Sequence, residues 1–456
     1  MFLNCCPNVY SLILKTQIQF IDRDIILQVN LKDQLSIILK KDFLHIYKQG
    51  EPISSFKLHF PNVIKWQFDK GLVGFTIDNG TYLTEEAYKL KEYLNGRLFF
   101  SKIQDFYTPL QILGKGSTAK VLLVKSKIGE SFYAAKCVPK TESIIQEIEI
   151  NNLLDHPAFV KIKEVFLGDT SYYIIMDLLS GKNLSILLKN QHTGLTVEQS
   201  KLIMHALLSG IDYMHSKNVM HRDIKLENIV LEKINNLTTL KLVDFGLATY
   251  SNIKKQYKIS KLRFKYPKCG TPGYVAPEIA NLTDQNSIYD KKCDIFSAGA
   301  VFYKLLTGRD LFPGTGFAYV LAQNKKCQID FTLLQLRKLP SDAIILLKSM
   351  LQKDPILRPT AQECLKFPFF TSTQQNDTEK SPATNGTQNS NSAPIGPSNA
   401  HKKQFFAQQK QMMQTVDFQP EEKPEYKGSF VTNDMVQYPQ MPKMVMKFNT
   451  TEFESI

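Results

Sequence analysis

The octapeptide HRDIKLEN, residues 221–228, gathers side chains suited to moving a phosphoryl group between oxygens. Asp223 can accept a hydroxyl proton, and Asn228 offers a carbonyl oxygen to Mg2+. The pattern His-Arg-Asp, four residues, Asn arises by chance in about one chain in a thousand at average composition. Further along, Asp244-Phe245-Gly246 follows the apolar run LKLV, and its carboxylate is a hard ligand suited to the main Mg2+. Upstream lies Leu113-Gly114-Lys115-Gly116-Ser117, which leads through Ala119 to Val121. Gly114 and Gly116 let backbone N–H groups approach phosphate oxygens closely. Ala134-Ala135-Lys136 sits on a later strand pattern, where a lysine can bridge nucleotide phosphates. Glu147, in SIIQEIEINNLLDH, is a suitable partner for that lysine. A Gly-containing hairpin, a surface Lys and a surface Glu are each ordinary in isolation. Their order, continued by Ala276-Pro277-Glu278, Asp294 and Arg358, is not.

With these motifs in place, residues 106–370 resemble a complete eukaryotic protein kinase domain of the serine/threonine type. The resemblance implies ATP and Mg2+ as cofactors and transfer of the γ-phosphate to Ser/Thr hydroxyls of protein substrates. It implies that Lys136 contacts the α- and β-phosphates and pairs with Glu147. Asp223 would be the catalytic base, Lys225 would steady the γ-phosphate, and Asn228 and Asp244 would hold Mg2+. Leu113, Val121 and Ala134 would lie above the adenine and Val230 below it. Met176 would be the gatekeeper, Asp177 and Leu179 would belong to the hinge, and Glu278–Arg358 would be a buried ion pair. The KLEN ending and the run CGTPGY resemble the calcium/calmodulin-dependent kinase group. That implies a basophilic preference through Glu227, although the carboxylate which the family places after the hinge is here Asn183. No loop of the form DxDxDG is present, so direct calcium sensing is not expected. The competing readings are a pseudokinase and a membrane-recruited adaptor acting as a scaffold. The presence of Lys136, Glu147, Asp223, Asn228, Asp244 and Gly246 speaks against the first; the second turns on whether residues 1–100 bind lipid.

Three positions depart from the family pattern. Ala119 replaces the third glycine of the phosphate loop. Asn151, four residues after Glu147, replaces a large apolar residue that stacks on the Phe of the Asp-Phe-Gly triplet; its amide must find a hydrogen bond. Pro267 occupies the usual phosphoacceptor slot, leaving Tyr257, Ser260 and Tyr266 as substitutes. Residues 250–268 also carry seven basic side chains (Lys254, Lys255, Lys258, Lys261, Arg263, Lys265, Lys268) and no acidic one. Such a loop suits an anionic surface or partner, or is simply solvated.

The elements that must position these groups are legible as alternating strand and helix patterns through residues 106–370. Residues 1–100 read as short strands at 11–15, 25–29, 35–39, 43–47, 63–68 and 72–77. A helix follows, with Thr84 as its N-cap, Ala87, Leu90 and Leu94 on one face and Asn95-Gly96 as its stop. This arrangement resembles a pleckstrin-homology-like domain, with its only Trp, Trp66, on a strand rather than in the helix. Residues 371–456 open with a Gln/Asn/Ser/Thr/Pro tract and are expected to be mostly disordered, with apolar residues returning near the end. The expected fold class is therefore α+β: a two-lobed kinase fold, preceded by a small β-rich domain and followed by a disordered tail.

The composition fits this. A formal charge of +13 over 456 residues favours anionic partners such as nucleotide phosphates, acidic peptides or anionic lipid. No nucleic-acid partner is expected. The odd number of cysteines, seven, with no CxxC pair gives no disulfide or zinc framework, and reducing cytoplasm fits best. No apolar run is long enough to span a bilayer, no basic n-region marks a signal peptide, and Phe2 excludes N-myristoylation. The expected location is cytoplasmic, with peripheral membrane contact left open.

Overall fold

The computed structural model describes residues 25–116, 119–141, 143–234, 236–251, 266, 268–283, 289–371 and 430–431. The strand expected at 11–15, the phosphate-loop Ser117, most of the basic loop and nearly all of the expected disordered tail lie outside the described residues.

Four antiparallel strands come first: β1 (Ile25–Asn30), β2 (Leu35–Lys40), β3 (Phe43–Lys48) and β4 (Glu51–Lys57). Alternation drives them together. Leu27 and Val29, Ile37 and Leu39, and Leu44 and Ile46 are buried on one face, as a period of two requires. Strands β5 (Val63–Phe68), β6 (Leu72–Ile77) and β7 (Gly80–Leu83) form a second antiparallel meander. Helix α1 (Ala87–Leu94) buries Ala87, Leu90 and Leu94 in the same core as Trp66 and Phe75.

The helix begins later than its sequence signal. Thr84 does not cap it. Thr84 Oγ1 accepts from Glu86 N–H at 3.1 Å and donates to Asn30 O at 2.8 Å. The threonine thus forms a turn that ties the helix entry to β1. Gly96, at φ +71°, follows the helix as expected.

The second meander does not end at the kinase-like region. Strand β8 (Phe99–Ser101) lies parallel to β5 on one side and parallel to β12 (Ile162–Leu167) on the other. The remaining strands are β9 (Tyr107–Lys115), β10 (Lys120–Ser126), β11 (Phe132–Pro139) and β13 (Ser171–Asp177). The result is one nine-stranded sheet of order β7-β6-β5-β8-β12-β13-β11-β10-β9. The apolar core follows it: Leu90, Leu94 and Phe75 belong to the same buried cluster as Leu122, Ala135, Phe166 and Ile175.

Helix α2 (Ser143–Leu153) packs against this sheet. Beyond it come α3 (Leu184–Leu188), α4 (Val197–Ser216), α5 (Pro277–Ala280) and α6 (Lys292–Thr307), followed by further helices to Thr371. The start of α4 is fixed by a capping box. Thr196 Oγ1 accepts from Gln199 N–H, and Gln199 Oε1 accepts from Thr196 N–H, both at 3.1 Å. Its residues Ile203, Met204, Leu207, Leu208, Ile211 and Met214 then recur at helical spacing into the largest core cluster. Phe430–Val431 adds a short strand antiparallel to Cys269–Gly270. No helix among the described residues is long and apolar enough to cross a membrane.

Candidate active site

Strand β11 carries Lys136, and helix α2 carries Glu147 opposite it. Their Nζ–Oε1 distance is 2.6 Å, and Lys136 Nζ also donates to Asp244 Oδ1 at 2.9 Å. Burial works against the Lys136 charge, but the two carboxylates outweigh it and its ammonium is stabilised. Burial likewise opposes ionisation of Asp244, yet the lysine pulls its carboxyl down to about 2. That pairing is present above the ordinary carboxylate range and is lost only as pH falls towards about 2. The Asp244 side chain keeps 49% of its surface open, so solvent still reaches it. Asp244 has φ +66°, a strained backbone held by its neighbours. Gly246 leaves room beside it: a Cβ there would stand 3.3 Å from Asp244 Oδ1, so the carboxylate would have to shift by a few tenths of an ångström.

The loop of residues 221–228 turns on Asp294 at the start of α6. Asp294 Oδ2 accepts from His221 N–H at 2.9 Å, and Oδ1 accepts from Arg222 N–H at 2.8 Å. His215 Nε2 lies 2.9 Å from Oδ2. These bonds hold Arg222 at φ +67°. The Asp223 carboxylate is gripped from several directions: Thr271 Oγ1 donates to Oδ1 at 2.5 Å, Lys225 Nζ lies 2.8 Å from Oδ2, and Asn228 Nδ2 lies 3.2 Å from it. Lys225 Nζ also donates to Thr271 Oγ1 at 2.9 Å. Asn228 commits its NH2 end to Asp223 O at 2.9 Å as well, which fixes the direction of its amide oxygen. Val243 N–H donates to Asn228 O at 2.9 Å, so the Asp223 loop and the Asp244 triplet are joined through the backbone.

Several other residues singled out from sequence meet on the sheet. Val121 pairs with both Gly114 and Lys136, and Ala134 lies opposite Met176. Asn183 forms a bridge with Val230. Asn183 Oδ1 is used locally: it accepts from Ile186 N–H at 2.9 Å and caps α3. Asp177 pairs with Lys163 at 3.1 Å on the surface, while Leu179 is half-buried and Leu113 exposed. Gly114, Lys115 and Gly116 are exposed, and Gly116 N–H closes the hairpin on Ala119 O at 2.8 Å. A side chain at Gly114 would meet no atom of the described residues within 4 Å, so the backbone there leaves space for a phosphate chain. The donor set fits the rest of the group. Asp244 and Asn228 provide two hard oxygens, the number Mg2+ takes when phosphates and water complete its shell.

The three departures resolve differently. Phe245 packs on His221 and Phe159, with ring centroids 5.1 and 5.7 Å away. Asn151 Oδ1 is buried with no hydrogen-bond partner among the described residues, so the bond that its oxygen needs is missing. Such a group costs about 1–3 kcal/mol. Asn151→Leu should therefore raise the thermal midpoint and the phosphotransfer rate at limiting ATP; a lower rate would contradict this. Arg222 is enclosed by aromatic and neutral partners. Its Nε donates to Leu247 O at 2.7 Å, Nη1 donates to Tyr289 Oη at 2.8 Å, and the guanidinium lies 5.9 Å from the centre of the Tyr266 ring. Tyr266 is buried and donates to Tyr250 O at 2.7 Å, so its hydroxyl is a structural contact rather than an open acceptor. Ser260 and Tyr257 lie outside the described residues.

The Glu278–Arg358 pair forms as a bidentate contact at 2.7 and 2.6 Å. The sequence reading gave no role to Asp294, Tyr289 or Lys91. For Asp294 the signal is its place in the motif order rather than any local pattern.

Residues 107–370, more than half of the chain, match the model of the protein kinase domain family. The chain is 35% identical over 273 residues to calcium-dependent protein kinase 4 of Plasmodium berghei (strain Anka), covering 58% of this chain and 49% of that protein. It is 34% identical over 281 residues to calcium-dependent protein kinase 3 of Plasmodium yoelii yoelii, covering 60% and 49%. It is 31% identical over 293 residues to serine/threonine-protein kinase PLK4 of Danio rerio, covering 62% and 29%. The chain thus spans about half or less of the length of these relatives.

Proposed function

Since this chain belongs to the protein kinase domain family, we propose that it is an active serine/threonine protein kinase, transferring the γ-phosphate of ATP to Ser/Thr hydroxyls of proteins. The observation that carries the reading is the assembled set of charges: Lys136 is closed on both Glu147 and Asp244, and Asp223 is held by Thr271, Lys225 and Asn228. Phosphoryl transfer needs positioning and charge neutralisation more than covalent chemistry from the protein. In this reading Lys136 binds the α- and β-phosphates, and Leu113, Val121, Ala134 and Val230 enclose the adenine. Asp223 orients the acceptor hydroxyl and takes its proton, and Lys225 faces the γ-phosphate. Asp244 and Asn228 hold Mg2+, which neutralises the phosphate charge when bound.

The test is phosphate transfer from Mg-ATP to Ser-, Thr- and Tyr-centred peptide libraries by the purified full chain. Labelling of Ser and Thr peptides without Tyr is expected; no transfer to any library would leave the scaffold reading in its place. The basophilic preference rests on Glu227, whose Oε2 is buried without a hydrogen-bond partner among the described residues. The residue as a whole is half-buried, and a cationic substrate side chain drawn to its negative charge is the reading. Glu227→Gln should flatten the preference for basic peptides about tenfold in kcat/KM, and an unchanged library profile would remove the role.

We place domain limits at 1–100, 106–370 and 371–456, and read the first as pleckstrin-homology-like. The support is architectural: a four-stranded meander, a three-stranded meander and a closing helix. The end formed by the β1–β2 and β3–β4 turns is lined by Asn30, Gln34, Ser36 and Gln49. That neutral lining favours an intramolecular or protein-binding role over capture of a phosphorylated lipid headgroup.

A further inference from the structure

Helix α2 is poorly equipped to stay in place alone. It is eleven residues long, below the roughly 12–15 residues at which an isolated helix stops being marginal in water. Ile144, Ile145, Ile148, Ile150, Asn151 and Asn152 are all weak helix formers. Within the lobe the helix is weakened further, because Asn151 brings an oxygen that is buried without a partner among the described residues. Yet Glu147 depends on this helix to reach Lys136.

What it rests on comes partly from the N-terminal region. Phe99 of β8, 1% exposed, shares one buried cluster with Ile144 and Ile148 of α2 and with Val138, Val165 and Ile174 of the sheet. Phe99 is itself set by rings on both sides: Phe60 at 4.6 Å and Tyr172 at 4.9 Å between centroids. At the other end of α2, Asn152 Nδ2 donates to Gly96 O at 2.6 Å, just past helix α1. This region is attached to the sheet by buried polar contacts. Lys91 of α1 pairs with the buried Glu164 of β12, whose other oxygen accepts from Tyr107 Oη at 3.1 Å. Lys91 also lies over the rings of Phe100 and Phe106 at 5.1 and 4.7 Å. On its remaining side, α2 is tied to the segment after Asp244 by Gln146 Nε2, which donates to Ala248 O at 3.3 Å and Thr249 Oγ1 at 3.2 Å.

From these contacts we infer that residues 25–105 are a built-in brace for helix α2, with Phe99 and Asn152 as positioning residues that keep Glu147 on Lys136. The inference rests on the kinase reading for its effect on turnover, but not for its effect on the helix. A helix with two arrangements is biased by whatever packs on one of them, and here the bias comes from the same chain. The brace takes over what an apolar residue at position 151 would supply from inside the lobe. Removing it should therefore be repaired by Asn151→Leu.

The experiment uses the full chain with Phe99→Val and, separately, Asn152→Ala. Amide hydrogen exchange is followed at residues 143–153 and, as an internal control, in α4. In both variants, exchange in α2 should quicken about tenfold while α4 is unchanged. The Phe99→Val variant should lose about tenfold in kcat, with a smaller change in KM for a peptide substrate. Adding Asn151→Leu should return most of both losses. Unchanged exchange in α2, or faster exchange in α2 with unaltered kcat, would overturn the brace. If Phe99→Val does not fold, Asn152→Ala decides alone, since its exposed side chain can be trimmed without opening the core. The exchange readout requires no phosphoryl transfer, so a chain with no activity would refute the kinase reading and still test the brace.

Discussion

Replacing Asp223 by Ala should lower kcat about a thousandfold while leaving KM for ATP nearly unchanged. The argument is geometric. Asp223 receives Thr271 Oγ1, Lys225 Nζ and Asn228 Nδ2, none of which belongs to the phosphate loop or to the strand that carries Lys136. Lys136, Glu147 and Asp244 retain their own contacts without it. ATP binding and acceptor activation should therefore separate. Steady-state kinetics with a Ser peptide, together with a binding isotherm for Mg-ATP, provide the check. Retention of more than about a tenth of the wild-type kcat would remove Asp223 from its proposed role. Asp223→Asn, which keeps the size of the side chain, guards against a loss caused by collapse of the loop.

Asp294→Asn should be nearly as damaging, although this residue is not expected to touch ATP or peptide. Its two oxygens accept from consecutive backbone N–H groups, those of His221 and Arg222, and these bonds help to hold Arg222 at φ +67°. An amide has one acceptor oxygen and would turn its NH2 towards one of those donors. The carboxylate is fully buried. Burial opposes its charge, but the hydrogen bond with His215 and the surrounding donors keep its carboxyl below the usual range. Losing one charge-assisted bond at such a site costs about 3 kcal/mol. We expect a lower thermal midpoint and about a hundredfold loss in kcat, because Asp223 follows directly on the displaced backbone. KM for ATP should change little. A variant within about threefold of wild-type kcat would show that the loop holds its shape without the carboxylate.

Much of the site was legible because phosphoryl-transfer chemistry writes itself in short, ordered motifs. Residues 221–228 and 244–246 carry their own spacing. Lys136 and Glu147 needed only a strand and a helix in the right order. Strands β1, β2, β3, β5 and β6 were legible from apolar alternation. Strand β4 was not, because EPISSFK lies mostly exposed at a sheet edge and has no buried face to pattern. Strand β8 was missed because three residues carry no period. The Thr84 signal was read as a cap, but the threonine was engaged by β1, a long-range partner that no local window contains. Lys91 was invisible for the same reason: its carboxylate, Glu164, is far away in sequence and both are buried. The surroundings of Arg222 could not be read either, since Tyr266 and Tyr289 become its neighbours only after the chain has folded.

The central position of β8 also sets an order of assembly. Residues 63–101 can form their hairpins as soon as they are made, but one edge of β8 has no partner until residues 162–167 exist. During synthesis that edge, with Phe99 and Phe100 beside it, is a template for pairing with another chain. Parallel pairing across so long a stretch is slow to form, because loop closure precedes any gain from contacts. Fragments that end before β12 would keep this open edge permanently. Production of the N-terminal region by itself should accordingly favour aggregates, whereas chains that reach Leu167 carry the strand that covers it.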